Sequence, residues 1–414
     1  MKIVLITLFL VALLSYTSNA SSFTNDFCVA NLGLSKTPSG YPCKSETIVT
    51  ENDFAFSGFV AQRLKSPFNV GFKVATVNNL PGLNGLGISA ARVDFGINGT
   101  VPMHIHPDAT QLTIVVEGVI TAGFITPTNA YVKTLKAGDV YVVPKGLLHF
   151  TINSSPGKAL VYSAFSSDNP RLHILDNLLF GNNLETRTIK KTTLLDELQI
   201  KKLKAQFGGT ILLCSRVQYT SNANSYTNDF CVANLAYSKT PSGYPCKSET
   251  IVTENDFTFS GLVPQTLKSP FNVGYKTATV NNLPGLNGLG ISASRVDFGI
   301  NGTVPMHFHP DATELTIIVE GVVTAGFITP TNVYVKTLKA GDVFVIPKGL
   351  LHFKFNSGPG KALAFSGFSS DNPRVHTLDR LLFGNNLETH TIEKTTLLDE
   401  NQIKKLKARF GGTG

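Results

Sequence analysis

After its first twenty residues this sequence has no apolar run long enough to cross a bilayer as a helix, so nothing later in the chain reads as a membrane span. It also lacks a basic stripe interleaved with aromatic residues, although its formal charge is +8; the usual footprint of a nucleic-acid-binding surface is missing. Charge is scarce altogether, with 15% of the 414 residues Asp, Glu, Lys or Arg. The lysines gather in Lys201-Lys202-Leu203-Lys204 and its repeat, which read as solvated helix faces. A basic balance of this size permits loose attraction to acidic polymers outside a cell. Hydrophobic residues make up 42% of the chain, enough for sizeable cores. Frequent glycine and proline favour many short strands over long helices.

The exceptional apolar run is at the start. Lys2 precedes Ile3 to Leu14, twelve residues that are too few to span, and Ser18-Asn19-Ala20 ends in small side chains. Residues 1–20 therefore read as a secretory signal peptide cleaved after Ala20, in preference to a membrane anchor. The mature chain is expected to be soluble and extracytoplasmic. Cysteine is sparse too, five in all. Cys28 and Cys43, like Cys231 and Cys246, are fifteen residues apart. In a secreted chain each pair reads as a local disulfide rather than as two buried thiols. A loop of that size is worth about 3 kcal/mol in the chain-entropy picture. Cys214 has no counterpart and is expected to be free.

What the chain does have is itself, twice. Cys28 corresponds to Cys231, His104 to His307, His149 to His352 and Phe207 to Phe410, always 203 residues apart. This is a tandem duplication of a whole domain. Tyr16-Thr17-Ser18-Asn19-Ala20 recurs as Tyr219-Thr220-Ser221-Asn222-Ala223, so the linker resembles a decayed signal peptide. The expected organisation is a first domain over 21–210, a linker over 211–223 and a second domain over 224–414.

Within each copy, short β-type runs follow at close spacing: Ile88 to Phe95, Leu112 to Val116, Val119 to Phe124, Tyr131 to Leu135, Val140 to Val143, Phe150 to Asn153 and Ala159 to Phe165. Gly118, Gly138 and Gly146 punctuate them. The fold class is all-β, an antiparallel sandwich or jelly roll in each copy. A helix stripe of Leu195, Leu198, Leu203 and Phe207 then follows, with Ile200 between them and Gly208-Gly209 as its stop. Its apolar face needs a partner: a neighbouring subunit, the sister domain or its own barrel wall.

The chemistry sits in His307-Phe308-His309-Pro310-Asp311-Ala312-Thr313-Glu314. Alternation on a strand puts both imidazoles on one face. Pro310 and Asp311 break the strand, Glu314 returns on the next, and His352 follows downstream. Three imidazoles and one carboxylate suit a divalent first-row metal. Four protein ligands leave an octahedral ion two open positions, for dioxygen, superoxide or a small carboxylate. Mn²⁺ fits such a set; Fe²⁺, Zn²⁺ and Cu²⁺ fit it as well. The first copy has His104, His106 and His149, with Gln111 in the carboxylate's place. A Gln carbonyl brings no charge, so the expectation is one strong site in the second domain and a weak or empty one in the first. No catalytic group beyond the ligands is identifiable. Asn98, Asn153 and Asn301 open glycosylation sequons.

These motifs resemble the germin and germin-like proteins of plants, within the cupin superfamily. One family box, H-x-H-x4-E-x6-G, matches His307 through Glu314 to Gly321. The other, G-x5-P-x4-H-x3-N, matches Gly341, Pro347, His352 and Asn356, and equally Gly138, Pro144, His149 and Asn153. Asp26 to Ala30 and Gly40 to Cys43 are similar to the family's N-terminal disulfide segment, and the subgroup looks like the auxin-binding type. The resemblance implies a β-jelly-roll barrel holding Mn²⁺ through His307, His309, Glu314 and His352. It also implies secretion to the cell wall and oligomers of domain pairs in threes, here three chains giving six barrels. For activity it implies superoxide dismutase or oxalate oxidase. Val101 and Val304 stand where oxalate oxidases carry an Asn, and Ala91 and Ser294 replace a second one, so oxalate turnover is not expected. The rival reading is a non-enzymatic protein: a cell-wall binding or auxin-receptor protein, or a nutrient-reservoir storage protein.

Overall fold

A computed structural model describes residues 27–37, 40–126, 129–193, 195–210, 230–240, 243–329, 331–396 and 398–414. The expected signal peptide (1–20), the linker (211–223) and Cys214 lie outside the described residues. In the first copy the strands are β1 (Ala55–Ser57), β2 (Val70–Ala75), β3 (Ser89–Phe95), β4 (Thr100–Ile105), β5 (Gln111–Glu117), β6 (Val119–Ile125), β7 (Ala130–Lys136), β8 (Asp139–Val143), β9 (Leu148–Asn153), β10 (Ala159–Phe165) and β11 (His173–Ile174). The second copy repeats them as β12 (Thr258–Ser260), β13 (Val273–Ala278), β14 (Ser292–Phe298), β15 (Thr303–Phe308), β16 (Glu314–Glu320), β17 (Val322–Ile328), β18 (Val333–Lys339), β19 (Asp342–Ile346), β20 (Leu351–Asn356), β21 (Ala362–Phe368) and β22 (His376–Thr377).

Pairing is antiparallel throughout the named strands, and each barrel is two facing sheets. The first barrel has a six-stranded sheet, β12-β8-β5-β10-β3-β2, and a five-stranded one, β11-β4-β9-β6-β7. Alternation builds the walls: in β7, Tyr131 and Leu135 point inward while Ala130, Val132, Thr134 and Lys136 face out. Tight hairpins close them. Gly118 turns β5 into β6 at φ 82°, and a Cβ there would meet the Lys158 carbonyl at 2.8 Å, so only glycine fits.

The sheet orders contain an exchange. β1 belongs to the first copy by sequence but pairs with β19 of the second, Phe56 opposite Val343. β12 pairs reciprocally with β8, Phe259 opposite Val140. The apolar side chains follow the strands. Phe54 packs edge-on against Phe327 with ring centroids 4.8 Å apart, and Phe257 does the same to Phe124. Each barrel's core is therefore completed by the N-terminal segment of the other copy. The disulfides Cys28–Cys43 and Cys231–Cys246 fasten those segments, with S–S distances of 2.04 and 2.05 Å.

The post-barrel region corrects the single-stripe reading. Among the described residues this region holds three α-helices in each copy: α1 (Leu175–Phe180), α2 (Thr186–Thr193) and α3 (Glu197–Phe207), then α4 (Leu378–Phe383), α5 (Thr389–Thr396) and α6 (Glu400–Phe410). In α3, Leu198 is 77% exposed and is no part of the apolar face. Ile200 is the buried anchor and packs with Phe180 and Ile189 of α1 and α2, flanked by Leu195, Leu203 and Phe207. The partner is thus the helical unit of the same copy, and Phe207 also stacks on Phe68. Lys204 is not solvated either. It is fully buried and its Nζ donates to the carbonyls of Thr210 (2.8 Å) and Asn182 (3.3 Å), satisfying groups left open beyond the helix end. Asp196 caps the start by accepting from the Gln199 N–H, and Gly208 closes the end at φ 79°. Among the described residues no helix is long and apolar enough to cross a membrane.

One expected glycosylation site is excluded by the fold. Asn153 is 2% exposed, and its amide donates to the carbonyls of Gly96 (2.7 Å) and Gly157 (2.8 Å). It fastens loops and has no free nitrogen to offer an enzyme. Asn98 and Asn301 lie on exposed turns with φ near 56°.

Candidate metal centre

Three strands bring the candidate ligands of each copy together: β4, β5 and β9 in the first, β15, β16 and β20 in the second. His104 and His307 are the penultimate residues of β4 and β15, whereas His106 and His309 sit just past those strands, where Pro107 and Pro310 turn the chain. The two imidazoles of each pair still lie side by side, ring centroids 5.2 Å apart. His104 is the cross-strand partner of His149, and His307 of His352. Register slips between Val101 and His104, and between Val304 and His307. Pro102 and Pro305 lie in the slip, where a missing N–H costs no ladder bond. Gln111 and Glu314 open β5 and β16.

Every imidazole is oriented by a backbone carbonyl. Nδ1 of His104 lies 2.7 Å from the Pro102 oxygen, Nδ1 of His106 2.7 Å from that of Arg171, and Nδ1 of His149 2.8 Å from that of Leu147. In the second copy the partners are Pro305, Arg374 and Leu350, each at 2.8 Å. A carbonyl only accepts, so Nδ1 carries the proton in all six. A neutral ring then leaves a lone pair on Nε2, aimed into the barrel. Burial favours the neutral ring: it lowers the pKa of His104 to about 4. It also lowers His307, with help from the neighbouring His352, to about 3. His106, His149 and His352 are lowered by the same cause.

The lone pairs converge. In the second copy the three imidazole nitrogens and the Glu314 carboxylate, and in the first copy the three imidazole nitrogens, lie within 4.8 Å of one another. Glu314 Oε2 is 3.2 Å from His352 Nε2 and 3.6 Å from His309 Nε2. In the first copy Gln111 Oε1 is 3.1 Å from His149 Nε2. The Gln111 amide donates outward, to Thr113 Oγ1 at 2.9 Å and Ser163 Oγ at 3.3 Å, which turns its carbonyl inward. Acceptors face acceptors with no proton between them, and a cation at the centre turns that repulsion into binding. The donor set of both cages therefore fits a metal ion.

Two features of the cage were not read from the sequence. Asp108 accepts from the Arg171 N–H (2.9 Å) and Nε (3.1 Å), and Asp311 does the same for Arg374 at 3.0 Å each. These pairs hold the loops whose carbonyls orient His106 and His309. The partners are 63 residues apart, so spacing gave no sign of them. The second feature is Lys354. It is 2% exposed, and its ammonium donates to Glu314 Oε1 and, at 3.0 Å, to Thr316 Oγ1. Burial alone would raise the Glu314 pKa. The Lys354 charge is the chief opposing influence, and the carboxyl is held well below its ordinary value. The signal for Lys354 was available: it lies two residues beyond His352 on β20, hence on the same inward face. The first copy has Thr151 there.

A cavity of about 600 Å³ opens over the second cage, with Ser294, Val304 and Phe368 in its walls and Lys268, Arg380 and Arg409 also lining it.

The cupin family profile matches residues 60–202 and 262–404. Germin-like protein subfamily 3 member 1 of Arabidopsis thaliana is 47% identical over 207 residues, covering 50% of this chain and 99% of that protein. Auxin-binding protein ABP19b of Prunus persica is 47% identical over 195 residues, covering 47% of this chain and 93% of its own length. Each such relative therefore spans one copy. Among solved structures, a deletion mutant of the Bacillus subtilis oxalate decarboxylase OxdC superposes with a TM-score of 0.65 at 16% identity, over 85% of both chains, a likeness of fold alone. This chain belongs to the cupin family and, within it, to the germin-like proteins, two of whose domains it carries in tandem.

Proposed function

We propose that this chain is a secreted manganese protein that dismutes superoxide at its second cage. The observation that supports the metal reading is the set of inward lone pairs, each fixed by a protonated Nδ1 on a carbonyl, together with Glu314. His307, His309, Glu314 and His352 would hold the ion. His104, His106, Gln111 and His149 would hold one more weakly, without a ligand charge. A bound manganese would supply one-electron redox chemistry in both directions. The chain's own part is to fix the ligand geometry, keep the cage buried and admit a small anion. Lys268, Arg380 and Arg409 outnumber Asp379 in the outer pocket lining, which favours an anion electrostatically. Oxalate oxidation is left out of the proposal because Val304, which lines the pocket, donates no hydrogen bond to a carboxylate. The test is superoxide activity in a native gel, with metal analysis of the same protein. Activity should vanish with chelator and return with Mn²⁺; undiminished activity in metal-free protein would refute the reading.

The proposal includes cleavage after Ala20, domains over 21–210 and 224–414, sugar on Asn98 and Asn301, and assembly of three chains into six barrels in the plant apoplast. Intact mass of the secreted product, with and without glycosidase, checks the first and third and reveals any cut near Ala223. A second reading, a binding protein for a small carboxylate, draws on the size of the pocket, about 600 Å³, which superoxide does not fill. It also draws on the relatives named as auxin-binding proteins. Titration with indole-3-acetate would then saturate, and stripping the metal would change the affinity.

A further inference from the structure

The ligand change from Glu314 to Gln111 does not stand alone. Lys354 donates to the very oxygen of Glu314 that points away from the imidazoles, while Oε2 faces His352. At the matching place in the first copy, Thr151 is neutral and Gln111 is neutral. Both copies are therefore electrically balanced one layer out from the imidazoles. One reaches balance with a buried ion pair, the other with no charges at all. We propose that Lys354 is a positioning residue for the second cage: it restricts Glu314 to one inward oxygen and offsets its charge, so that Lys354 and Thr151 together set how far the two cages differ in metal affinity.

Two effects of the ammonium work in one direction. Its positive charge opposes a dication held nearby in a buried site. Its hydrogen bond also draws electron density from the carboxylate and stabilises that carboxylate when no metal is present. Removing Lys354 therefore strengthens metal binding and weakens the metal-free fold. A residue that merely props up the barrel would weaken both. The same logic applied to the first copy gives a converse. Gln111→Glu alone creates a carboxylate with no ammonium beside it, and its site should bind metal more tightly than the native second cage. Adding Thr151→Lys should bring it back.

The inference rests on the metal reading above, and the experiment separates the two. The full chain carrying His149→Ala, which disables the first cage, is titrated with Mn²⁺ by calorimetry at neutral pH. Failure of this protein to bind would refute the metal reading itself. Given binding, Lys354→Thr, which installs the twin's residue, should raise affinity about tenfold or more, while metal-free thermal stability falls. Unchanged or weaker binding in Lys354→Thr overturns the role assigned to Lys354. Should that variant fail to fold, the first copy decides, measured in a His352→Ala background. Gln111→Glu should then bind more tightly than Gln111→Glu/Thr151→Lys, and equal affinities would overturn the proposal.

Discussion

The two cages agree in three imidazoles, three orienting carbonyls and the aspartate that pins one of those carbonyls. They part company at the carboxylate and at the residue behind it. What was conserved between the copies is geometry; what was changed is charge, and it was changed in a pair. A lone Glu-to-Gln replacement would leave Lys354's counterpart as a buried ammonium facing a neutral amide. The first copy avoids that by carrying Thr151, which matches Gln111 in polarity.

The comparison breaks most severely if only one half of the pair is altered. Glu314→Gln gives the second cage the first cage's ligand but keeps Lys354. A buried cation without its partner typically costs about 3–5 kcal/mol, so denaturant unfolding should show a loss of that order. Metal affinity at this cage should fall about 100-fold or more. Gln111→Ala in the first copy removes only neutral hydrogen bonds and should cost about 1 kcal/mol. Equal losses in the two copies would mean that Lys354 does not depend on Glu314.

Acid sharpens the comparison next. His104 and His307 titrate near 4 and 3 in the fold, below the value of about 6.5 expected of an unfolded imidazole. The metal-free fold therefore binds fewer protons than the unfolded chain in this range. The histidine contribution to stability is complete above about pH 6.5 and drains away as pH falls towards those lower values. Metal-free melts should fall between about pH 7 and pH 5, and bound metal should resist the fall until protons displace it. A flat melting temperature over that interval would contradict neutral, inward-facing rings.

A smaller, symmetric effect is expected from the aspartates. Asp108 and Asp311 are partly exposed, so their ion pairs with Arg171 and Arg374 stabilise little by themselves. Their value is positional, since they hold the carbonyls that orient His106 and His309. Asp311→Ala should weaken metal binding about tenfold at the second cage, with little change in melting temperature. Asp108→Ala should act equally on the first. Unequal effects would show that the loops, and not only the charges, have diverged.

How much of this could be read in advance depends on whether the information is local. The runs from Leu112 to Phe165 are short, rich in β-type residues and punctuated by Gly118, Gly138 and Gly146, so their strands were legible. The strand under the His-x-His pair was legible only in part: Pro102 and Pro305 slip its register, and His106 and His309 fall just past its end. The exchange of β1 and β12 was beyond any pattern: Phe54 and Phe257 occupy identical contexts, and nothing local says which barrel either will enter. The helical unit was half legible. Asp196 and Gly208 mark its last helix, but Leu198 and Lys204 swap the environments their chemistry suggests, because the helix end needed a donor that Lys204's long stem could deliver. The ligands were legible as a set, and Lys354 was overlooked although its position two beyond His352 placed it inside.

The gentlest difference between the copies lies at the pocket rather than the cage. Arg380 and Arg409 line the second pocket, and the matching residues of the first copy are Asn177 and Gln206. Tyr275, Thr277, Ser294 and Thr377 likewise stand where the first copy has Phe72, Val74, Ala91 and Ile174. Four of these six changes make the second copy's lining more polar, and the two arginines make it more cationic. A cationic entrance raises the encounter rate of an anion and does little for a neutral ligand. Arg380→Asn with Arg409→Gln, which gives the second pocket the first one's residues, should slow superoxide loss about threefold at low ionic strength. The deficit should close as salt approaches about 1 M, where screening reaches only about 3 Å. Metal content should not change, because neither arginine is among the cage residues. A deficit that persists at high salt would mean that the arginines contact a bound ligand directly, which would favour the carboxylate-binding reading over dismutation.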